Sequence, residues 1–316
     1  MEPRSGATMF KAYLLRFHRW VALAFAAPLL AVIVTGLILS FQPLLQSAYV
    51  RPGAVTLERV EKLLDEHDAK GGARSFRIDW FQNVISIDGR IDVDVDTGAI
   101  VEEDHWFSEW MAASRGLHQR LVYDMEWLVI ASTAAMLVII LLGALLGLPR
   151  LANTMSGWHK GVAWGLLPLL ALSPLTGLLI AAGVTFSQPT PRTQALPLRE
   201  ALRVIAASRD LSTVEWVRVR GGRQLARVSD GARQSTFVVT RDGLTPASAN
   251  LPRTFHEGTF WGVWGGVMNV LLSLAFLALL ATGVLLWFRR RLRPRRRVRG
   301  PARQPEASLE GAKPTS

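Results

Sequence analysis

Six histidines occur in the 316 residues, and four of them stand where an imidazole could do chemistry. His18, in FHRW, and His159, in WHKG, each open a long apolar run; His118, in RGLHQRL, and His256, in RTFHEG, each precede another. Thr35-Gly36-Leu37 follows His18 after 17 residues, and Thr176-Gly177-Leu178 follows His159 at the same spacing. Neutral imidazole is a good axial ligand for iron, and two imidazoles offered by facing helices can hold a porphyrin from both sides. Cysteine is absent, which removes thiolate ligation, cysteine-held iron–sulfur clusters, disulfides and thioether-attached haem. A non-covalent b-type haem is what this donor set leaves. Two pairs, His18 with His159 and His118 with His256, make places for two haems. Any one of the four alone reads equally well as an interfacial histidine; the set and its repetition carry the haem reading. His67 and His105 read as ordinary surface or structural residues.

The elements that must position these rings are membrane helices. Half of the residues are hydrophobic, and the mean hydropathy is +0.23. Trp20–Val50, Trp127–Pro149, Gly161–Pro191 and Gly258–Phe288 contain no Asp, Glu, Lys, Arg or His. Each exceeds the roughly 20 apolar residues that cross a bilayer, where the backbone must satisfy its own hydrogen bonds and therefore coils into helices. The first run is too long for a signal peptide's apolar core and is read as a span.

The net charge of +11 does not point to nucleic acid. Eight arginines lie in RRRLRPRRRVR, residues 289–299, directly after the last apolar run, where they anchor topology. Lys11, Arg16, Arg19, Arg150 and Lys160 flank the same side, so the positive-inside rule places both termini in the cytoplasm. The expected order is then a cytoplasmic N-terminus (1–16), a first span (17–46), an external domain (47–117) and an outer His segment with the second span (118–148). A cytoplasmic turn (149–158), a third span (159–186), a second external domain (187–255), a fourth span (256–288) and a basic cytoplasmic tail (289–316) complete it. The last dozen residues read as a disordered tail.

This is a duplication of one unit: span, external domain, His, span. GALLGLPR ends the second span as GVLLWFRR ends the fourth. Each external segment combines one amphipathic helix, TLERVEKLLDEH or PLREALRVIAAS, with short strands such as SFRIDWF, VISIDG, TVEWVRVR and STFVVTRDG. The fold class expected is a four-helix transmembrane bundle of two repeated halves with two small α+β modules outside. Neither module holds a Gly-rich phosphate loop, a nucleophile elbow or a zinc cluster.

Small residues would suit a porphyrin's flat face: Ala22 and Ala26, Gly161, Ala163 and Gly165, Gly258, Gly262, Gly265 and Gly266, and Gly116. Ordinary helix packing uses them just as well. Haem propionates would lie near Arg16, Arg19 and Lys160 inside, or Arg115, Arg120 and Arg253 outside. A wholly helical stretch from His256 to Arg289 would be about 50 Å long, putting the outer ligands at or above the outer boundary and leaving a long gap between haems. Phe25, Trp164 or Trp264 would have to bridge it.

At FHRW and its TG, LHQRL, WHKGVAWGLLPLL with TGLL, FHEGTFWGVWGG with TGVLLWFRRR, and VDVDTGAIV, the chain resembles the PepSY-associated transmembrane family of bacterial inner-membrane proteins. That family includes iron-regulated membrane proteins and ferric-siderophore reductases, and the likeness covers about residues 10–292. The resemblance implies a di-haem membrane reductase of external ferric chelates, with His18, His118, His159 and His256 as axial ligands to haem iron. No flavin or nicotinamide domain is recognisable, so electrons would come from a donor protein or from quinol. Membrane lipid is the other expected partner, and the sequence is silent on oligomeric state. The competing reading is non-enzymatic: PepSY-like domains that bind a partner or peptide outside, with spans that only anchor. A transporter is disfavoured because the spans lack Asp, Glu and Lys.

Overall fold

The protein's structure, a computed structural model, describes residues 6–102, 106–148, 152–188, 193–229 and 234–292. His105, Arg150, the basic run beyond residue 292 and the C-terminal tail lie outside the described residues. In chain order the elements are α1 (Gly6–Ala24), α2 (Ala26–Ser40), α3 (Gln42–Tyr49), α4 (Leu57–His67), β1 (Ser75–Asp79), β2 (Val84–Ile87), β3 (Ile91–Asp94), α5 (Trp106–Arg120) and α6 (Glu126–Leu145). They continue with α7 (Met155–Gly165), α8 (Leu167–Ala181), α9 (Leu198–Ala206), β4 (Val214–Arg220), β5 (Arg223–Ser229), β6 (Gln234–Thr240), β7 (Gly243–Pro246), α10 (Leu251–His256) and α11 (Val263–Leu292).

Among the described residues three helical segments are long and apolar enough to cross a membrane: Ala26–Gln46, Glu126–Leu145 and Val263–Leu292. The helices α7 and α8 pass the same test together across a 66° bend, giving up to four. The bend has a local cause. Pro168 has no N–H to return to the Trp164 carbonyl and its ring crowds the preceding turn, so the chain breaks at Leu166 (φ −108°, ψ 9°). Pro28 does the same after α1, and Phe25 takes nearly the same backbone angles (φ −101°, ψ 8°). Each break falls seven residues after a histidine, His18 or His159.

These segments close into a ring. The α1–α2 pair packs against α6 and α11, and α7–α8 packs against the same two helices. Leu29, Ile33, Leu170 and Phe276 meet in the middle, with Phe25, Met136, Ile139, Ile140, Leu272 and Leu280 around them.

The soluble part differs from the expected pair of modules. Residues from both external segments build one antiparallel sheet in the order β3-β2-β1-β4-β5-β6-β7. The join is β1 against β4, where Ser75, Phe76 and Arg77 pair with Arg218, Val217 and Trp216. One face is a single core: Val60, Leu63 and Leu64 of α4 and Ala201, Leu202 and Ile205 of α9 cover Phe76, Ile78, Ile85, Val93, Val217, Ala226 and Val239. Thr56 caps α4 by accepting the Arg59 amide, and its Val60/Leu63/Leu64 stripe faces the sheet. The two halves also exchange polar contacts. Ser212 receives the Trp80 indole N–H at its carbonyl and the Val55 amide at its hydroxyl, and Arg199–Asp65 and Arg203–Glu61 ion pairs join α9 to α4. The reason is economy of edges: three or four strands with one helix leave β1 or β4 open and too little core, and pairing them removes both defects.

A second difference bears on the site. The expected segment 118–148 is not one helix. His118 belongs to α5, which packs along α2; Leu121, Tyr123 and Asp124, all at positive φ (53°, 58° and 53°), then turn the chain into α6. His256 likewise ends α10, and Gly258 (φ 70°) and Gly262 (φ 54°) redirect the chain into α11. Both histidines are carried on short helices folded back beside the spans.

Candidate functional site

Each of the four histidines seats its ring on a neighbouring helix, and the seat is a glycine. A Cβ added at Gly36 would stand 3.1 Å from the His118 Cε1, one at Gly177 3.3 Å from that of His256, and ones at Gly143 and Gly283 3.6 Å from those of His18 and His159. Segments therefore trade rings: α5 onto α2, α1 onto α6, α10 onto α8 and α7 onto α11.

Hydrogen bonds fix the rings the same way round. His18 Nδ1 lies 3.0 Å from the Ile139 carbonyl, His118 Nδ1 3.0 Å from that of Val32, and His256 Nδ1 3.2 Å from that of Ser173. A carbonyl only accepts, so in these neutral rings the proton sits on Nδ1. His159 Nδ1 lies 2.8 Å from the Thr282 Oγ1. That hydroxyl gives its proton to the Ala278 carbonyl at 2.6 Å, so it too accepts from the ring. Thr35 and Thr176 stand beside His118 and His256 at 3.2 and 3.3 Å, each hydroxyl donating within its own helix. Among the described residues no hydrogen bond reaches any of the four Nε2 atoms. Four imidazoles thus present a lone pair at Nε2, with Nδ1–H held by a backbone or hydroxyl acceptor. This is the outer support that fixes tautomer and ring plane in metal-bound histidines.

The His118 and His256 rings come together, with centroids 6.1 Å apart and planes at 42°. Two iron–nitrogen bonds of about 2 Å, plus roughly 1.1 Å from each ring centre to its nitrogen, give about 6.2 Å. The centroid separation of this pair is close to that sum. His18 and His159 form no such ring contact. They lie on α1 and α7, which pack from two sides against α6 and α11. Among the described residues no group of three or more His, Cys, Asp or Glu gathers for a metal ion, so any metal here would rest on imidazole pairs.

The His118 and His256 rings meet the middle of α2 and α8, not the span ends where the sequence reading placed them. His256 touches Ser173 and Thr176, in the middle of α8, and its carbonyl accepts the Asn269 amide at 2.9 Å, past the first turn of α11. From Asn269 to Thr282, which holds His159, is about thirteen residues, or about 20 Å of helix. The fold-back of α10 shortens the gap between the two levels. Phe25 packs against the apolar cluster that contains Phe276. Trp264 is 71% exposed and does not; Trp164 is outside that cluster as well.

The other sequence candidates divide. Gly258 and Gly265 press backbone on backbone, and Gly266 meets Leu44, so these serve helix packing rather than a flat ligand. Gly116 and Gly165 have nothing within 4 Å of an added Cβ. Arg115, Arg120 and Arg253 already bind Gln42, Asp124 and Glu257. The Arg19 Nε, next to His18, is buried without a partner. His67 closes α4 in the sheet domain, away from the four. The Thr-Gly pairs were visible as a repeat, as were Gly143 and Gly283 opening the matching span ends GALLGLPR and GVLLWFRR, but not that each glycine receives the ring of another segment; Asn269 carries no signal beyond its own letter.

The family described as PepSY-associated TM region matches residues 15–290. No curated protein shows a significant match.

Proposed function

Because the chain belongs to the PepSY-associated TM family, we propose that it is a bacterial inner-membrane electron-transfer protein. In this reading it holds b-type haem, two per chain, within a four-span bundle of duplicated halves, and it reduces ferric chelates on the sheet side. The observation that carries the proposal is the common state of four imidazoles: Nδ1 anchored, Nε2 free, and the outer two rings 6.1 Å apart. His118 with His256 would hold one haem, and His18 with His159 the other. Bound haem iron supplies one-electron chemistry.

The chain's own residues do the rest. Gly36, Gly143, Gly177 and Gly283 give each ring its bed, and the Ile139, Val32 and Ser173 carbonyls with Thr282 fix its plane. The Leu29/Ile33/Leu170/Phe276 cluster keeps water and ions out of the space between the two levels. Positive charge on α1 and at the end of α11 supports cytoplasmic placement of that side, with electrons entering there from a donor protein or quinol. Pyridine haemochrome analysis of detergent-purified protein tests this. Two haems are expected per chain, with one lost in His18→Ala and one in His256→Ala; a full complement in both variants, or no haem in the wild type, refutes it. The second of those results favours the partner-binding reading.

A further inference from the structure

The sheet face opposite α4 and α9 carries a cluster that the bundle's imidazoles do not use. Trp216 on β4 is paired with Arg77 of β1 on one side and Arg227 of β5 on the other, so the three stand in one row on that face. The Arg218 guanidinium lies 4.0 Å from the Trp216 ring centroid and the Arg227 guanidinium 5.1 Å. Among the described residues Arg77, Arg218 and Arg227 make no ion pair. The Arg218 Nε is also buried without a hydrogen-bond partner. Burial, then the charges of Arg220, Arg227 and Arg253, push the Arg218 guanidinium below the usual arginine range, with Glu257 opposing. Arg253 and Glu257 flank His256 in sequence, so the charges acting on Arg218 include two near neighbours of that imidazole.

Among the described residues the nearby acids make no ion pair with these three arginines. Burial pushes the Glu215 carboxyl up, with Arg227 and then its bond to Gln234 opposing, and Glu257 already pairs with Arg253. Asp79 is likewise pushed up by burial, and Asp92 lies across on β3. Unpaired guanidinium groups stacked on an indole are costly to keep together unless an anion shares the site. Arginine suits planar, bidentate oxyanions and aromatic stacking.

We propose that this arginine–tryptophan face is the chelate-binding site, and that it takes multiply anionic ferric chelates, with carboxylate or catecholate arms, in preference to neutral ones. The proposal rests on the electron-transfer reading for its choice of ligand. A lipid headgroup would offer similar oxygens but no aromatic arm for Trp216.

The test uses full-length protein in detergent and redox-inert gallium(III) complexes, with bound gallium measured after equilibrium dialysis. The tris-catecholate complex (3−) is expected to bind at least about tenfold more tightly than a neutral tris-hydroxamate complex, and Arg218→Gln/Arg227→Gln to remove most of that preference. The double Lys variant retains charge without the planar fork and is expected to fall between them, with melting temperature reporting the fold. Equal binding of the neutral complex, undiminished preference in the Gln variant, or displacement of the complex by phosphatidylglycerol at similar concentration overturns the proposal. Haem content is read in the same samples. Discrimination by haem-free protein supports this site while removing the electron-transfer reading, and its loss in haem-replete protein does the reverse.

Discussion

Replacing Gly36 should unseat His118 in a graded way that Gly143 replacements do not share. A Cβ at Gly36 would lie 3.1 Å from Cε1 and 3.5 Å from Nδ1 of His118, whereas at Gly143 the distances to His18 are 3.6 and 4.0 Å. Ordinary carbon–carbon contact is about 3.5–4.0 Å, so Gly143→Ala fits and Gly36→Ala forces the ring away by a few tenths of an ångström. Overpacking of this kind costs about 1–3 kcal/mol, and Gly36→Val, with two more methyls, belongs at or above the top of that range. Displacing the ring also stretches its Nδ1–H bond to the Val32 carbonyl, worth about 1 kcal/mol. At 1.4 kcal/mol per tenfold, Gly36→Ala should weaken haem retention about fivefold to a hundredfold, and Gly36→Val should leave that position empty. Haem per chain by pyridine haemochrome, with circular dichroism to confirm helix content, should rank wild type and Gly143→Ala together, then Gly36→Ala, then Gly36→Val. Full haem with an unchanged α-band in Gly36→Val would refute the seating of His118 on α2, as would equal losses in the two alanine variants.

Thr282→Val removes the hydroxyl that receives the His159 Nδ1–H, so haem affinity should fall by about 1 kcal/mol, roughly fivefold, with altered low-spin EPR g-values. Thr35→Val leaves the Val32 carbonyl in place for His118 and should change both readouts much less. Asn269→Leu takes away the amide that tethers the α10 carbonyl; dialysis against apomyoglobin should show about fivefold faster haem loss from one site only. Burial raises the folded-state pKa of Glu215 above its unfolded value. Its contribution is therefore fully present below the unfolded pKa and fades as pH rises through the folded one. Thermal melting of the full chain between pH 4 and 8 should show less loss of stability on the alkaline side in Glu215→Gln than in wild type. An identical pH profile in the two proteins would argue that Glu215 ionises freely.

The imidazole donors were legible in residue types, and their seats were not. His18 and His159, with Thr-Gly following at a fixed interval, exposed the repeat, and the four uncharged runs marked the apolar segments, because hydropathy and donor type are properties of single letters. Which acceptor orients a ring has no letter: every residue owns a carbonyl, and Ile139, Val32 and Ser173 were chosen only when α1, α5 and α10 came to rest beside their partners. The depth of His256 was hidden for a related reason. Reading it as the start of one continuous helix makes the distance to His159 grow with every residue, whereas Gly258 and Gly262 redirect the chain and leave α10 packed beside α8.

By itself the sequence determined the apolar segments, the soluble insertions between them and the supply of imidazoles without thiols. Tertiary structure decided that the two insertions share one sheet, since β1 and β4 each present an unsatisfied edge whose nearest match lies more than a hundred residues away. It also decided which two rings meet. Pairing of edges and of rings is set by contacts between distant parts of the chain, and a linear pattern records only what each residue can do for its neighbours.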